Sequence, residues 1–407
     1  MTTGFNQQQV ETLAHGQPAW LRQQRLAGWQ TFQKLPLPDR RDIEWQRFDL
    51  RALKLDKLFL ETPAITERLS SVTGRGVIFC DMATALAKHT DLVKEYFGKS
   101  IAPDEPRKFN ALHSAFWNTG ALLYVPRGVK ISEPVEITYE FSGQNVAGFP
   151  RTLVVVEPGA EATLVQKFLG GPRPGSNGAP SVHASGTEVF VKEGGRLHYI
   201  SMQNLSPNVF DFTLKRAHVE RDAEIDWVIG MFGASFKRYD IECVMEGEGG
   251  TSFMYGVGFL EHNQQFGQFT KQHHMTGNTT SDLLFKNILR DRAIANYAGM
   301  IKVEKNANGT NAYQANRNLV LSNKVKCDTK PILEIESNQL RCTHGATVGR
   351  LEEQQLFYLR SRGLTEEQAR DVLIEAFLDP VLARIQVDTV QKEFASLIHQ
   401  KAVRKQS

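Results

Sequence analysis

The stretch Leu340-Arg341-Cys342-Thr343-His344-Gly345-Ala346-Thr347-Val348-Gly349-Arg350 sets a thiol and an imidazole two residues apart beside a glycine. On a strand, positions i and i+2 face the same way, so Cys342 and His344 would present sulfur and nitrogen to one patch about 7 Å apart. That is within reach of a shared metal or cluster. Two ligands make half a site. Structural zinc takes four ligands and iron–sulfur clusters usually take several cysteines, so completion must come from elsewhere, another chain included. The plainer reading of such a pair is a buried cysteine and a surface histidine.

Other chemistry-bearing residues carry less. His273 and His274 are neighbours, and adjacent strand residues point to opposite faces, which keeps both from one ion. His262, between Glu261 and Asn263, reads as a turn histidine. Cys80 ends the apolar run Val77-Ile78-Phe79 and Cys243 follows Ile241-Glu242, so both read as small hydrophobes lining a core. The four cysteines form no CxxC pair, and without a secretory signal they are expected as free thiols. No GxxxxGK[ST] loop occurs, so no nucleotide is expected on this chain and any ATP dependence must come from a partner. GxSxG and HExxH are absent too, and the acidic residues at the turns do not converge on a pair.

The elements that must position the Cys/His pair are β-rich. From about residue 120 to 348 short runs such as Leu153-Val154-Val155-Val156, Glu188-Val189-Phe190-Val191 and Ile225-Asp226-Trp227-Val228-Ile229 are punctuated by similar turns. These are Pro126-Arg127-Gly128-Val129, Glu157-Pro158-Gly159-Ala160, Lys192-Glu193-Gly194-Gly195, Glu220-Arg221-Asp222-Ala223, Glu246-Gly247-Glu248-Gly249-Gly250 and Arg290-Asp291-Arg292-Ala293. A spacing of roughly 30 residues for the first four steps is that of solenoid coils rather than hairpins. Each coil would stack its strands on the previous one, bury an inward row of Val, Ile and Phe, and be unstable alone. The open ends must then be capped or paired. The piece from Gly170 to Gly178, rich in Gly and Pro, reads as a mobile loop between coils.

Helices are expected on either side. Trp20, Leu21, Leu26, Trp29 and Phe32 recur at helical intervals up to Pro36, with Trp20, Trp29 and Trp45 anchoring a small N-terminal core that can cap one end of the solenoid. A second helical patch covers residues 85–120. After Arg350, Leu351, Leu356 and Leu359 share a helix face that Gly363 terminates, and Thr365-Glu366-Glu367-Gln368 is a capping box. The next helix carries Ala369, Val372, Leu373, Ala376 and Phe377 on one stripe before Pro380, and Val381, Leu382, Ile385, Val390, Phe394 and Leu397 continue in a third. The predicted organisation is mainly β: a right-handed parallel β-helix (solenoid) core over 120–348, flanked by N-terminal (1–119) and C-terminal (349–407) α-helical regions.

Three segments together resemble the SufD family, subunits of the SUF (SufBCD) iron–sulfur cluster assembly complex. They are Asp328-Thr329-Lys330-Pro331-Ile332-Leu333-Glu334-Ile335, the Cys342 to Arg350 segment, and Glu353-Gln354-Gln355-Leu356-Phe357-Tyr358-Leu359-Arg360-Ser361-Arg362-Gly363. The closest match covers about residues 310–380, and the order of features extends it over nearly the whole chain. The resemblance implies a non-catalytic scaffold that pairs with its paralogue SufB and carries the SufC ATPase on its C-terminal helices. SufB proteins place a His-Glu-Ala segment where this chain has Cys342-Thr343-His344-Gly345-Ala346 and carry an additional essential cysteine and glutamate, so this chain follows the D pattern. The family's cluster-assembly histidine maps onto His344 and the motif cysteine onto Cys342. They are the expected metal and cofactor-binding residues, for a transient iron–sulfur cluster or iron at the SufB–SufD interface. The resemblance also brings sulfur-donor proteins as partners, a homodimer in isolation, and room for a reduced flavin in the complex.

Net charge is only +3 and no basic stripe points to nucleic acid, the final Lys401, Arg404 and Lys405 reading as a solvated helix end. The segment from Met1 to Gln17 is polar and no apolar run approaches the roughly 20 residues that cross a bilayer, so a soluble, cytoplasmic protein is expected with no membrane contact. Two rivals remain. A β-helix polysaccharide lyase or hydrolase would need acidic or basic residues clustered on an outer face, and a stand-alone metal-storage module would need clustered ligands. Co-purification with an ATPase and a paralogue, against polysaccharide turnover, separates them.

Overall fold

The computed structural model describes residues 4–42, 44–68, 75–170 and 180–403. The expected loop from Gly170 to Gly178 falls, beyond Gly170, outside them, as do Arg404 and Lys405. From Pro150–Val156 onward the strands alternate between an eleven-stranded and a nine-stranded sheet, and each pairs in parallel with the strand one coil away. Glu224 thus lies beside Arg196, Thr251 beside Glu224 and Thr280 beside Thr251, 27 to 29 residues apart. This is the expected parallel β-solenoid.

The coil length follows from turn chemistry at two corners. Gly159, Gly194, Asp222, Gly249, Asn278 and Gly309 adopt positive φ where the chain leaves the first sheet, and His262 and Asp291 do so where it returns. The Arg290-Asp291 turn therefore sits at the opposite corner from the other five quoted turns, which explains the longer last step in their spacing. Both corners need a residue that tolerates the left-handed region, so Gly, Asn, Asp and His mark them.

Inside, alternate residues form rows running from coil to coil: Leu197 and Tyr199 stack beside Ile225 and Trp227, all buried. A one-residue slip would turn such a row outward, so register is tightly specified. The lumen also holds polar rows. Lys215 Nζ donates to Tyr199 Oη at 2.6 Å and to Gln166 Oε1 at 3.1 Å. Lys237 is fully buried and its Nζ has no hydrogen-bond partner among the described residues.

The N-terminal region differs from expectation. The helix over Ala19–Lys34 and the 85–120 helices are present, but three short strands, Phe59–Leu60, Ala64–Arg68 and Ile78–Asp81, lie among them. Ala64–Arg68 runs antiparallel to Val135–Phe141 and Ile78–Asp81 antiparallel to Thr119–Val125, so a short antiparallel strand forms the first edge of each sheet. Short antiparallel strands therefore terminate that end. The helical layer lies along the outer face of the first sheet, where Trp29, Trp45, Phe109 and Phe116 pack with Phe190, Phe212 and Phe236.

The C-terminal helices cover the outer face of the second sheet. Helix Glu366–Leu382 opens with the predicted Thr365/Gln368 capping box but continues through Pro380, which lies too near its end to break much of the hydrogen-bond ladder. Its inward residues are Ala369, Ile374, Leu378 and Val381, with Phe377 packed beside them, so Ala369 and Phe377 of the expected face lie inward while Val372 is 42% exposed. Ile374, Leu378 and Val381 pack with Ile385, Val390, Phe394 and Ile398 on Ile200, Val228, Val257 and Ile288 of the sheet, so the stripes serve internal packing. Lys401, expected in solvent, is mostly buried against Glu261 at 2.6 Å. No helix among the described residues is long and apolar enough to cross a membrane.

Candidate functional site

Cys342 and His344 lie on Leu340–Gly349, the last strand of the second sheet. The strand before it in the chain, Lys326–Ile335, is the last of the first sheet. Both belong to the final coil, and neither outer edge is paired among the described residues. Parallel register sets Cys342 beside Ala312 and His344 beside Gln314, both partners being buried. The two candidate ligands therefore share the lumen face, as their spacing requires.

Their surroundings differ. Cys342 is half-buried against the small cluster of Ile301, Val303, Ala307 and Ala312, and burial pushes its thiol above the ordinary value. It is thus no activated thiolate, and a metal would have to displace its proton. His344 is exposed and makes no hydrogen bond or ion pair among the described residues. Its imidazole is open to an outside group. Among the described residues no three His, Cys, Asp or Glu side chains converge to hold a metal. The pair is half a site within this chain.

Sequence reasoning passed over the polar floor beneath it. Gln314, next to His344 in register, donates from Nε2 to Gly299 O at 2.9 Å and keeps Oε1 buried without a partner among the described residues. Asn316 accepts from Asn318 at 2.6 Å and leaves its own Nδ2 unpartnered. Period-two alternation through Tyr313-Gln314-Ala315-Asn316-Arg317-Asn318 was the available signal, but polar side chains ordinarily mark the outer face. Cys327 also faces the lumen of this coil from the other sheet, with burial pushing its thiol up to about 12. Lacking a next coil above them, Leu333, Ile335 and Val348 are 37%, 40% and 50% exposed.

The remaining candidates sit where they were expected. His273 and His274 point to opposite faces: His273 meets Glu304 at 2.8 Å, whereas His274 is buried between Thr279 and Ser281. Burial lowers the His274 pKa to about 3. His262 is an exposed turn residue, Cys243 is fully buried and Cys80 packs against the helical layer. On the outer face of the first sheet the carboxylates are paired, Glu242 with Arg216 and Lys271, Asp240 with Arg238 and Arg107. Burial opposes ionisation of Asp240 and Glu242, yet the neighbouring cations hold both below their ordinary values. A glycosidase needs a carboxylic acid held protonated, and this face supplies the opposite.

Comparison with known proteins bears on the whole arrangement. Residues 139–377 match the family described as SUF system FeS cluster assembly, SufBD core domain, and residues 59–137 match the SufBD protein N-terminal region. The iron-sulfur cluster assembly protein SufD of Bacillus subtilis (strain 168) is 30% identical over 95% of this chain and 95% of its own length. The iron-sulfur cluster assembly protein SufB of the same organism is 31% identical over 75% of this chain, which spans 65% of that protein. An iron-sulfur cluster assembly SufBD family protein of Staphylococcus epidermidis is 30% identical with the same coverage.

Proposed function

The chain belongs to the SufBD family of SUF-system iron–sulfur cluster assembly proteins, and on that footing we propose that it is the SufD-type scaffold subunit. It pairs through its final coil with a SufB-type paralogue. The observation that carries this reading is the asymmetry of the ends: one finishes in antiparallel strands of five and four residues, the other in two ten-residue parallel strands with Leu333, Ile335 and Val348 exposed. Unpaired edges beside exposed apolar side chains favour a partner. Coverage supports the D assignment, since the alignment to SufD spans both chains while that to SufB leaves about a third of SufB unmatched.

In this reading the nascent cluster is cargo. His344 offers a neutral imidazole to iron from the open side, Cys342 lies on the same face as a second, less ready ligand, and the partner supplies the rest. The chain itself performs no covalent step. Energy comes from a SufC-type ATPase docked on the C-terminal helices, where Phe357 and Tyr358, 74% and 56% exposed on helix Glu353–Ser361, remain free after internal packing.

Co-expression of Leu333→Asp/Val348→Asp with the SufB and SufC partners tests the pairing. The variant should melt like the wild type and lose SufB in a pull-down. Unchanged SufB recovery would refute the final coil as the contact.

A further inference from the structure

The last coils enclose a polar atom that satisfies nothing within the fold. Gln314 is fully buried on strand Thr310–Val320, and its carboxamide reaches across the lumen to Gly299 of the other sheet, where Nε2 donates to the carbonyl at 2.9 Å. The slot is close-fitting: a Cβ on Gly299 would stand 2.8 Å from Gln314 Oε1. That bond fixes which way the amide lies, because only its nitrogen can donate to a carbonyl. Oε1 is left as a buried acceptor with no partner among the described residues. Such an acceptor costs stability unless something donates to it.

An atom closed to solvent cannot serve a free ligand, so the donor has to be a side chain beside it. In the row that runs from coil to coil, the residue on one side of Gln314 is Leu283, which has no polar group, and the residue on the other is His344. Across the lumen Tyr297 Oη is engaged by Thr270 Oγ1 at 2.9 Å, and along the strand Asn316 is engaged by Asn318 at 2.6 Å. His344 is exposed, and no hydrogen bond among the described residues holds its ring elsewhere. Neighbouring strands lie about 4.8 Å apart and paired residues point to the same face, so rotation about its own side-chain bonds brings the imidazole within reach of Oε1.

We propose that Gln314 is the positioning residue for His344: Oε1 accepts the N–H of one ring nitrogen, which leaves the bare nitrogen turned to the open end of the solenoid and to iron arriving there. The inference rests on His344 being a ligand, as read above. A neutral imidazole has one N–H and one lone pair, and the nitrogen that keeps the proton cannot bind a metal. An exposed histidine left to itself samples both tautomers and several ring angles, whereas an outer hydrogen bond fixes both and raises the basicity of the ligating nitrogen.

Anaerobic titration of Fe2+ into the purified complex with the SufB-type and SufC-type partners tests this as a double-mutant cycle. Gln314→Met, similar in shape but without an acceptor at that position, should weaken iron binding about tenfold and should do nothing further in the His344→Ala background. The second arm separates positioning from packing, since a variant that merely loosened the lumen would weaken both backgrounds alike. Asn316→Leu removes another unsatisfied amide from the same strand face, but one that stands beside Ala346, and should bind iron as the wild type does. Thermal melts and partner recovery verify that each variant folds and assembles. Wild-type affinity in Gln314→Met, an equal loss with and without His344, or the same loss in Asn316→Leu would each overturn the positioning role. Equal iron binding by wild type and His344→Ala would instead overturn the ligand reading beneath it, and the proposal with it.

Discussion

At the scale of single residues, His344 and Cys342 share a face but not a condition. His344 is exposed and unengaged, whereas Cys342 is half-buried with a thiol pushed up. His344→Ala should therefore leave the SufB and SufC partners bound and lower the iron and acid-labile sulfide recovered anaerobically by about tenfold, because one exposed side chain contributes little to a large contact. Cys342→Ala should cost less cluster and about 1 kcal/mol of stability from lost packing. Loss equal to that of His344→Ala would make the thiol a ligand. The pair was legible from spacing alone, since i, i+2 on a strand is a geometric identity. Gln314 and Asn316 were not, because a polar residue facing a lumen carries no mark distinguishing it from one facing water.

The same lumen yields a titration. Burial lowers Lys215 and Lys237 from 10.5 to about 7, the weak pull of Asp211 notwithstanding. Between those values the unfolded chain binds protons that the folded chain refuses, so stability rises with pH, by on the order of 1 kcal/mol per unit for each lysine. The melting temperature should climb from pH 7 to 9. Lys237→Met, which removes an unpartnered buried amine, should raise the pH 7 melting temperature and flatten that slope. A slope unchanged in Lys237→Met would show that this amine titrates normally.

Among elements, the C-terminal helices divide their labour. Ile374, Leu378 and Val381 face the sheet, so Leu378→Asp should cost about 3 kcal/mol or more and be seen as a lower melting temperature. Phe357→Glu/Tyr358→Glu should leave the melt unchanged and abolish ATPase co-purification. Retained ATPase would move the docking surface elsewhere. Deleting residues 364–407 would be a poorer test, because it strips the cover from Ile200, Val228 and Val257. The sequence revealed these helices and the capping box through periodicity and side-chain chemistry. It placed Ala369 and Phe377 of the second correctly and Val372 wrongly, because apolar residues nearly encircle that helix and only the sheet beneath selects the stripe. The short N-terminal strands went unseen because Ala64–Arg68 mixes charges into five residues and is ordered by the edge it covers.

For the molecule as a whole, repetition made the architecture readable and the two ends hard to read, since a repeat says how coils stack and nothing about how stacking stops. At the first end stacking finishes in short antiparallel strands, and at the last in two full-length parallel ones. This has a consequence for dosage. A subunit made in excess of its partner carries an adhesive terminus into the cell, and the most abundant surface of similar shape is the same terminus on another copy. Self-association would hold the surplus in reserve and prevent filaments, because two copies joined at their final coils expose only the ends with short antiparallel strands. Chains produced alone should sediment as concentration-dependent dimers, never as longer polymers, and should return to monomeric use as the partner is titrated in.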